Sequence, residues 1–398
     1  MSAIRLLAVV EANTTTGPAK NLLQFAGHLG EVEPPVELAL AVFRRAATEN
    51  GFIDAARRSS IPVYAIDERR VFDARVLSRL RAISREFQPH LVQTHSVKSH
   101  FLVRAAGLHK GAPWVAFHHG YTWPDWRMRV YNQLDRWSLR AASLVLTVSV
   151  PFRRELTRLG VGAARIEVVH NAIDAEWGAA DRVPPARRQW RARLGIGSRD
   201  KVIVIVGRLS REKDHNTLLH AVHALPAHGA PALPWLLVVG DGPERAAILE
   251  TAGRLGISGR LILTGQVPSA APYYGIADVA VLSSVTEGSP NALLEAMASG
   301  VPVVATSVGG VPEIVSHNAT AMLAPPSNPG ALADAIAAVL EDETLGRRLA
   351  ESARELVVSS FAPAARTRRI VEAYSRVLRV SAAERVAMGP APSRCSPL

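Results

Sequence analysis

The chain has 398 residues, 48% hydrophobic and 20% charged, enough for two or three domains with buried cores. A net charge of +11 and a pI near 10.4 favour acidic partners such as nucleotide phosphates or anionic lipid surfaces. No zinc-finger spacing and no basic–aromatic RNA motif occurs, so no nucleic-acid partner is expected. The single cysteine, Cys395, excludes an internal disulfide framework and fits a reducing compartment. Apolar residues after Arg5 stop at Glu11, too few for a signal peptide, and no apolar run reaches the ~18 residues of a membrane span. The expectation is a cytoplasmic protein, soluble or peripheral on the cytoplasmic membrane face.

In chain order, residues 4–10 read as a buried strand, 11–18 as a polar turn and 19–29 as a helix, the opening unit of an α/β fold. In this turn Gly17 allows close backbone approach to a ligand. Strands at 36–43, 62–66, 91–94 and 114–117 follow, with helical stretches at 51–59 and 73–87. Strands alternating with helices predict a parallel sheet with right-handed crossovers, whose ligands bind beyond the carboxyl ends of the strands. His95, His118 and His119 fall there. A histidine at a strand end can polarise a hydroxyl or phosphoryl oxygen. A three-histidine metal site is disfavoured, because no further ligand at metal-site spacing completes it.

Residues 121–142 interleave Trp123, Trp126, Met128, Tyr131, Leu134 and Trp137 with Arg127, Arg129, Arg136 and Arg140. Two readings compete: a helix packing an aromatic face on the sheet, or a basic aromatic surface that meets membrane headgroups and a lipid-linked acceptor. The first is favoured by the buried-type strands on both sides. Strands at 144–148 and 166–169 close the first half, and 174–185 has the composition of a linker.

The pattern then restarts. A strand at 201–206 leads into Gly207-Arg208-Leu209-Ser210-Arg211-Glu212-Lys213-Asp214, which carries two cations off a strand end. Arg can grip phosphate oxygens bidentately and Lys acts as a point charge. Strands at 236–239 and 261–264 lead to Gly240-Asp241-Gly242-Pro243 and Gly265-Gln266-Val267. The strand at 280–283 ends in Glu287-Gly288-Ser289-Pro290-Asn291-Ala292-Leu293-Leu294-Glu295. Ser289 is a good N-cap and Pro290 suits a first helical turn. Leu293, Leu294, Met297 and Ala298 give one apolar face. Glu287 thus ends a strand and Glu295 lies on the next helix, with free backbone N–H groups between them. Two carboxylates flanking an anion site suit a ligand with sugar hydroxyls at both ends and phosphate in the middle. Residues 331–340, 345–358 and 361–380 read as helices.

The run from Thr286 to Thr306 resembles the signature of retaining GT-B glycosyltransferases of family 4, also called glycosyl transferases group 1. Gly207 to Asp214 resembles that family's diphosphate-binding loop. His119-Gly120 resembles its N-domain histidine, with His118 the adjacent alternative, and His170-Asn171-Ala172-Ile173-Asp174 resembles its hinge motif with Ala172 in place of glycine. Many members carry two glycines in the first loop, where this chain has Thr16-Gly17. The glycine turn at 240–243, the 265–267 loop and Gly309-Gly310-Val311-Pro312-Glu313 have family counterparts around the donor.

The resemblance implies an α/β GT-B fold: two Rossmann-like, doubly wound parallel-sheet domains facing a central cleft. The expected division is 1–183 on the acceptor side, 184–362 on the donor side, a helix at 363–380 crossing back to the first domain, and a disordered tail at 381–398. It implies transfer of a sugar from a UDP- or GDP-linked donor to a saccharide or lipid-linked saccharide acceptor, in surface polysaccharide or glycolipid synthesis. Anomeric configuration is retained, with no cofactor besides the donor substrate. His119, Arg208, Lys213 and Glu287 are the catalytic candidates. Gly17, Gly207, Gly242, Gly288, Ser289, Pro290, Asn291 and Glu295 are the donor-binding candidates. Negative charge on the leaving diphosphate must be stabilised, and Arg208, Lys213 and the N–H groups after Gly288 can do so without a metal. The competing readings are a non-catalytic nucleotide-sugar binder and a GT-B sugar epimerase. A dehydrogenase is disfavoured, since no Gly-x-Gly-x-x-Gly opens either half.

Overall fold

The computed structural model describes residues 3–15, 17–45, 50–69, 73–120, 126–228 and 233–387. The chain divides by its packing into two units. One comprises residues 1–147, 153–169 and 364–398, the other 148–152 and 170–363.

The first unit runs β1 (Ile4–Val10), α1 (Pro18–Gly27), β2 (Val36–Arg45), α2 (Gly51–Arg58), β3 (Val63–Glu68) and α3 (Arg75–Phe87). It continues with β4 (Leu91–Thr94), α4 (Val97–Ala106), β5 (Trp114–His118), α5 (Trp126–Leu139), β6 (Leu144–Thr147), α6 (Val150–Arg158), whose residues up to Phe152 group with the second unit, and β7 (Ile166–Val168). Its seven strands are ordered β3-β2-β1-β4-β5-β6-β7, and every pairing is parallel. Such strands are buried on both faces, which is why Leu6 to Val9, Leu91 to Thr94 and Trp114 to Ala116 are almost wholly excluded from solvent. Side-chain caps fix several helix starts. Asn50 accepts from the N–H groups of Phe52 and Ile53, and Ser96 and Ser99 form a capping box at α4.

The second unit runs α7 (Pro184–Arg193), β8 (Val202–Val206), α8 (His215–Ala224), β9 (Trp235–Val239), α9 (Arg245–Arg254) and β10 (Leu261–Gly265). Next come α10 (Ala271–Ile276), β11 (Val279–Leu282), α11 (Asn291–Ala298), β12 (Val303–Thr306) and α12 (Val311–Ile314). β13 (Met322–Ala324), α13 (Pro329–Glu341) and α14 (Glu343–Ser360) complete it. The six strands are ordered β10-β9-β8-β11-β12-β13, again all parallel. In each sheet the order reverses beside the unit's first strand, between β1 and β4 and between β8 and β11. Ligands of open parallel sheets bind at such switch points, beyond the carboxyl ends of the strands.

The last helix, α15 (Pro363–Ala387), returns to the first unit. Its Ile370, Val371, Ala373 and Tyr374 are buried in the core that holds Leu6, Leu22 and Phe25. It is longer than the sequence suggested. Residues 381–387, expected in a disordered tail, continue the helix, because the run from Ala382 to Ala387 contains no breaker. Cys395 and Gly389 to Ser393 lie outside the described residues, as do Thr16 and Tyr121 to Asp125. By its packing the second unit begins at His170, so residues 170–183, placed by sequence in the first domain, belong with the second. Asn171 and Ile173 account for this, since both bond or pack to second-unit residues.

Candidate active site

The loop after β8 is shaped by backbone contact. Gly207 has φ +155°, and a Cβ there would stand 3.3 Å from the Lys213 stem. The glycine turn after β9 locks onto this loop, because a Cβ on Gly242 would stand 2.3 Å from the Leu209 carbonyl oxygen. Leu209 N–H donates to Asp241 O at 3.0 Å. A short turn over Arg211–Lys213 ends at Asp214, whose side chain accepts from Thr217 N–H and caps α8. Lys213 is thereby held at the mouth of the switch point.

Across that switch point, Lys213 Nζ lies 2.6 Å from Glu287 Oε1. Ser284 Oγ donates to the same oxygen at 2.6 Å. Both bonds fall on Oε1, which leaves Oε2 for a ligand. Ser283 Oγ donates to Lys213 O at 2.8 Å and Val285 N–H donates to Glu212 O at 2.9 Å, so the two loops are tied by backbone as well as by charge. Arg208 lies on the first of them, exposed. Unlike Lys213, its guanidinium takes no acidic partner among the described residues.

The loop after β12 closes on Glu287 from the other side. Gly310 N–H donates to Glu287 O at 3.1 Å. Gly309 has φ +53°, and a Cβ there would stand 1.8 Å from Glu287 O. Only glycine fits. Gly288 is similarly confined, since its Cβ would stand 2.6 Å from Phe152 Cε2 and 2.7 Å from Val148 Cγ2.

Ser289 departs from its sequence assignment. It is not the N-cap of α11; Pro290 stands there, and no side chain caps the helix. Asn171 N–H instead donates to Ser289 Oγ at 3.0 Å, and Asn171 Nδ2 to Ser289 O at 2.6 Å. A tertiary hydrogen bond takes the hydroxyl that a local cap would have used. The first-turn N–H groups of α11 are left to other acceptors. Asn291 Oδ1 is buried there without a hydrogen-bond partner among the described residues. Glu295 is buried near Tyr274, whose phenol is held well above its usual pKa by burial and then by Glu295.

Gly17 and His119 belong to the first unit. Gly17 precedes α1 with φ +53° and open space where a Cβ would be. His118 ends β5 and is buried. Its Nδ1 lies 3.7 Å from Asp135 Oδ2, and His100 Nδ1 lies 2.5 Å from Asp135 Oδ1, so His118 has a structural pairing. His119, one residue on, stacks parallel to His95 at 6.0 Å between centroids. Burial, then Arg366, His118 and His100, push His119 down to about 3. It is neutral near pH 7, so the charge-tunable role suggested by sequence gives way to that of a neutral hydrogen-bonding imidazole. Its Nε2 has no hydrogen-bond partner among the described residues. A cavity of about 10 Å³ beside His95, His119 and Arg366 is the size of one water. No group of three or more His, Cys, Asp or Glu side chains that could hold a metal occurs among the described residues.

The aromatic segment forms a helix whose Leu139 is buried in the core of the sheet, and Trp137 is its one aromatic side chain among the described ones. Trp137 is 45% exposed rather than packed on the sheet, with the Arg104 guanidinium 3.5 Å from its ring centroid. No helix among the described residues is long and apolar enough to cross a membrane.

Sequence reasoning found the loop residues but missed their holders: Ser284, Asn171, Val148, Phe152 and Glu313. Glu313 accepts from Val150 N–H at 2.9 Å. Asn171 and Glu313 stand in motifs recognisable in the sequence, His170 to Asp174 and Gly309 to Glu313; the other three carried no signal.

Two family descriptions match side by side: Glycosyltransferase Family 4 over residues 24–177 and Glycosyl transferases group 1 over residues 186–356. The chain is 31% identical over 248 residues to N-acetyl-alpha-D-glucosaminyl L-malate synthase of Bacillus anthracis, covering 62% of each chain. It is 33% identical over 188 residues to the lipopolysaccharide core biosynthesis glycosyltransferase LpsE of Rhizobium meliloti (strain 1021), covering 47% of this chain and 52% of that one. These alignments span less than two thirds of either relative. The structure of Anabaena Alr3699/HepE in complex with UDP-glucose superposes with a TM-score of 0.80 at 19% identity, covering 94% of this chain and 100% of that one, which bears on fold alone. With two adjoining family matches, the shared loop motifs and two all-parallel Rossmann-like sheets, the chain belongs to the family 4 glycosyltransferases and has the GT-B fold.

Proposed function

We propose that this protein transfers a sugar from a nucleoside diphosphate sugar to an acceptor hydroxyl, with retention at the anomeric carbon and without a metal. The observation that carries the reading is the 2.6 Å contact of Lys213 with Glu287 across the switch point, next to the exposed guanidinium of Arg208. Breaking the glycosidic bond places charge on a leaving diphosphate. Arg208, Lys213 and the first-turn N–H groups of α11 supply fixed positive potential for it. Glu287, oriented through Oε1 by Lys213 and Ser284, offers Oε2 to the donor sugar. Glu295 takes the ribose and Asn291 Oδ1 a further donor hydroxyl. Glu287 is not a covalent nucleophile here; attack comes from the same face, assisted by the leaving phosphate. His119 is the first unit's candidate, acting as a neutral hydrogen-bonding imidazole.

Relatives favour the same chemistry. One is named as a glucosaminyl malate synthase, another as a lipopolysaccharide core glycosyltransferase, and a structural neighbour was crystallised with UDP-glucose. These favour a UDP-linked donor over a GDP-linked one and a saccharide or lipid-linked acceptor in surface polysaccharide or glycolipid synthesis. The test incubates the protein with a panel of UDP- and GDP-sugars, with and without acceptors and chelator, and measures released nucleotide. NMR of the product reads the anomeric configuration. Acceptor-dependent release that survives chelation, with an unchanged anomer, is expected. Binding without release would identify a non-catalytic binder, and conversion of the donor without an acceptor an epimerase.

A further inference from the structure

The second unit has another cavity, at the opposite end of its sheet. Lys201, Ala277, Asp278, Val301 and Pro302 line it, and each lies just before a strand: β8, β11 or β12. Because the strands are parallel, this is the edge away from Lys213 and Glu287. The cavity is open and holds about 460 Å³, within the range of small-molecule sites.

Its charge is unbalanced. Arg182, Arg187, Lys201, Arg347 and Arg354 line it, against Asp278, Glu343 and Glu351. The acids are largely committed. Asp278 takes Arg187 at 2.9 Å and Arg191 at 3.0 Å as well as the Val202 N–H at 2.8 Å. Glu343 lies 3.7 Å from Lys201. Arg354 reaches out of the cavity to Glu176 at 3.0 Å. Arg182 and Arg347 have no acidic partner among the described residues. Arg182 is held below the ordinary arginine pKa by burial and by its neighbours Arg354 and Arg187, a crowd of cations with too few anions. Its place is built: a Cβ on Gly300 would stand 2.2 Å from Arg182 Nη1, and Gly300 has φ +57°, so a glycine makes room for the guanidinium. Arg347, Arg354 and Glu351 share one face of α14 at helical spacing.

We propose that this cavity is a second anion site, distinct from the Lys213–Glu287 site, that takes a small phosphate-bearing molecule, a phosphate monoester or a diphosphate, between Arg182 and Arg347. Its floor includes Gly300 and Val301, which follow the carboxyl end of α11. Tyr274 on its wall donates to Ala292 O at 2.9 Å, in the first turn of that helix. The occupant therefore sits against the back of the helix that carries Asn291 and Glu295.

The test is isothermal titration calorimetry of the full chain with inorganic pyrophosphate, repeated with AMP and with glucose 1-phosphate. Wild type should bind more than one equivalent of pyrophosphate. Arg182→Gln/Arg347→Gln should weaken one binding step by about tenfold or more, the loss of charge-assisted contacts, and leave the other unchanged. Arg347→Glu, on an exposed position of α14, serves as a second variant; with an unchanged melting temperature it should weaken the same step. AMP binding tighter than glucose 1-phosphate would identify a nucleotide as the occupant, the reverse a sugar phosphate, and either supports the site. An isotherm that neither variant alters overturns the proposal. Arg208→Ala reads the other site separately: it should weaken only the step that the cavity variants spare, so failure of the donor reading and failure of this one are distinguishable.

Discussion

Replacing Lys213 by methionine keeps the stem that packs against Gly207 and removes the charge. Glu287, only 10% exposed in its side chain, is then held by Ser284 alone. Loss of a partner from a pair this buried lies between the surface case, about 0–1 kcal/mol, and the fully buried case, about 3–5 kcal/mol; about 2 kcal/mol of destabilisation is expected. Glu287→Gln should cost a similar amount by stranding Lys213. In Lys213→Met/Glu287→Gln neither charge is left uncompensated, so stability should return to within about 1 kcal/mol of wild type. Turnover should not return. Removing one preorganised charge donor costs about 10²–10³ in kcat, and the double variant lacks both donor and acceptor. Urea unfolding measures the first quantity, and nucleotide release at saturating donor the second. Lys213→Met within about threefold of wild-type turnover would refute the role of this contact in catalysis. Strictly additive losses in the double variant would refute the pairing itself.

Arg208→Ala should cut turnover by about 10²-fold with little change in unfolding midpoint, because its guanidinium is exposed; near wild-type release at saturating donor would contradict the assignment. Gly309→Ala places a methyl group 1.8 Å from Glu287 O at φ +53° and should destabilise by about 2 kcal/mol or more while lowering turnover; a variant as stable as wild type by urea unfolding would show that this loop contact is absent. Burial, with help from Lys213, pushes His215 down to about 4 from 6.5. A histidine held neutral contributes its stability fully above pH 6.5 and loses it as pH falls toward 4. His215→Gln should therefore flatten urea stability between pH 6.5 and 4 by up to about 1.4 kcal/mol per pH unit, and an unchanged slope would exclude the buried histidine.

Much of this was legible in the sequence because parallel sheets write plainly. Buried strands appear as continuous apolar runs such as Val202 to Val206, and the chemistry sits just after them, so Lys213 and Glu287 could be placed on strand ends without coordinates. What stayed hidden depends on contacts between residues far apart in the chain. Asn171 and Ser289 are separated by 118 positions, and nothing local says that Asn171 claims the Ser289 hydroxyl. The neutral state of His119 follows from burial and from Arg366, far along the chain on the last helix. The end of α15 was misjudged for another reason: Gly389 to Ser393 have the composition of a tail, which the sequence reading carried back to Ser381, while Ala382, Ala383 and Ala387 have the propensity to extend a helix.

The two switch points differ in the charges paired across them. In the first unit Lys98 lies where β1 and β4 part, with Nζ 3.1 Å from Glu11 and 2.6 Å from Glu68. One cation there faces two carboxylates. In the second unit Lys213 pairs with Glu287, and Arg208 on the same loop takes no acidic partner among the described residues. The fields fall off over about 8 Å in physiological salt, which makes each switch point answer mainly to its own residues. An uncharged hydroxyl-bearing ligand is indifferent to the sign and can use carboxylates as hydrogen-bond acceptors. The same strand topology, built twice, therefore carries differently charged sets of side chains at its two switch points. The difference rests on the side chains at the strand ends rather than on the fold.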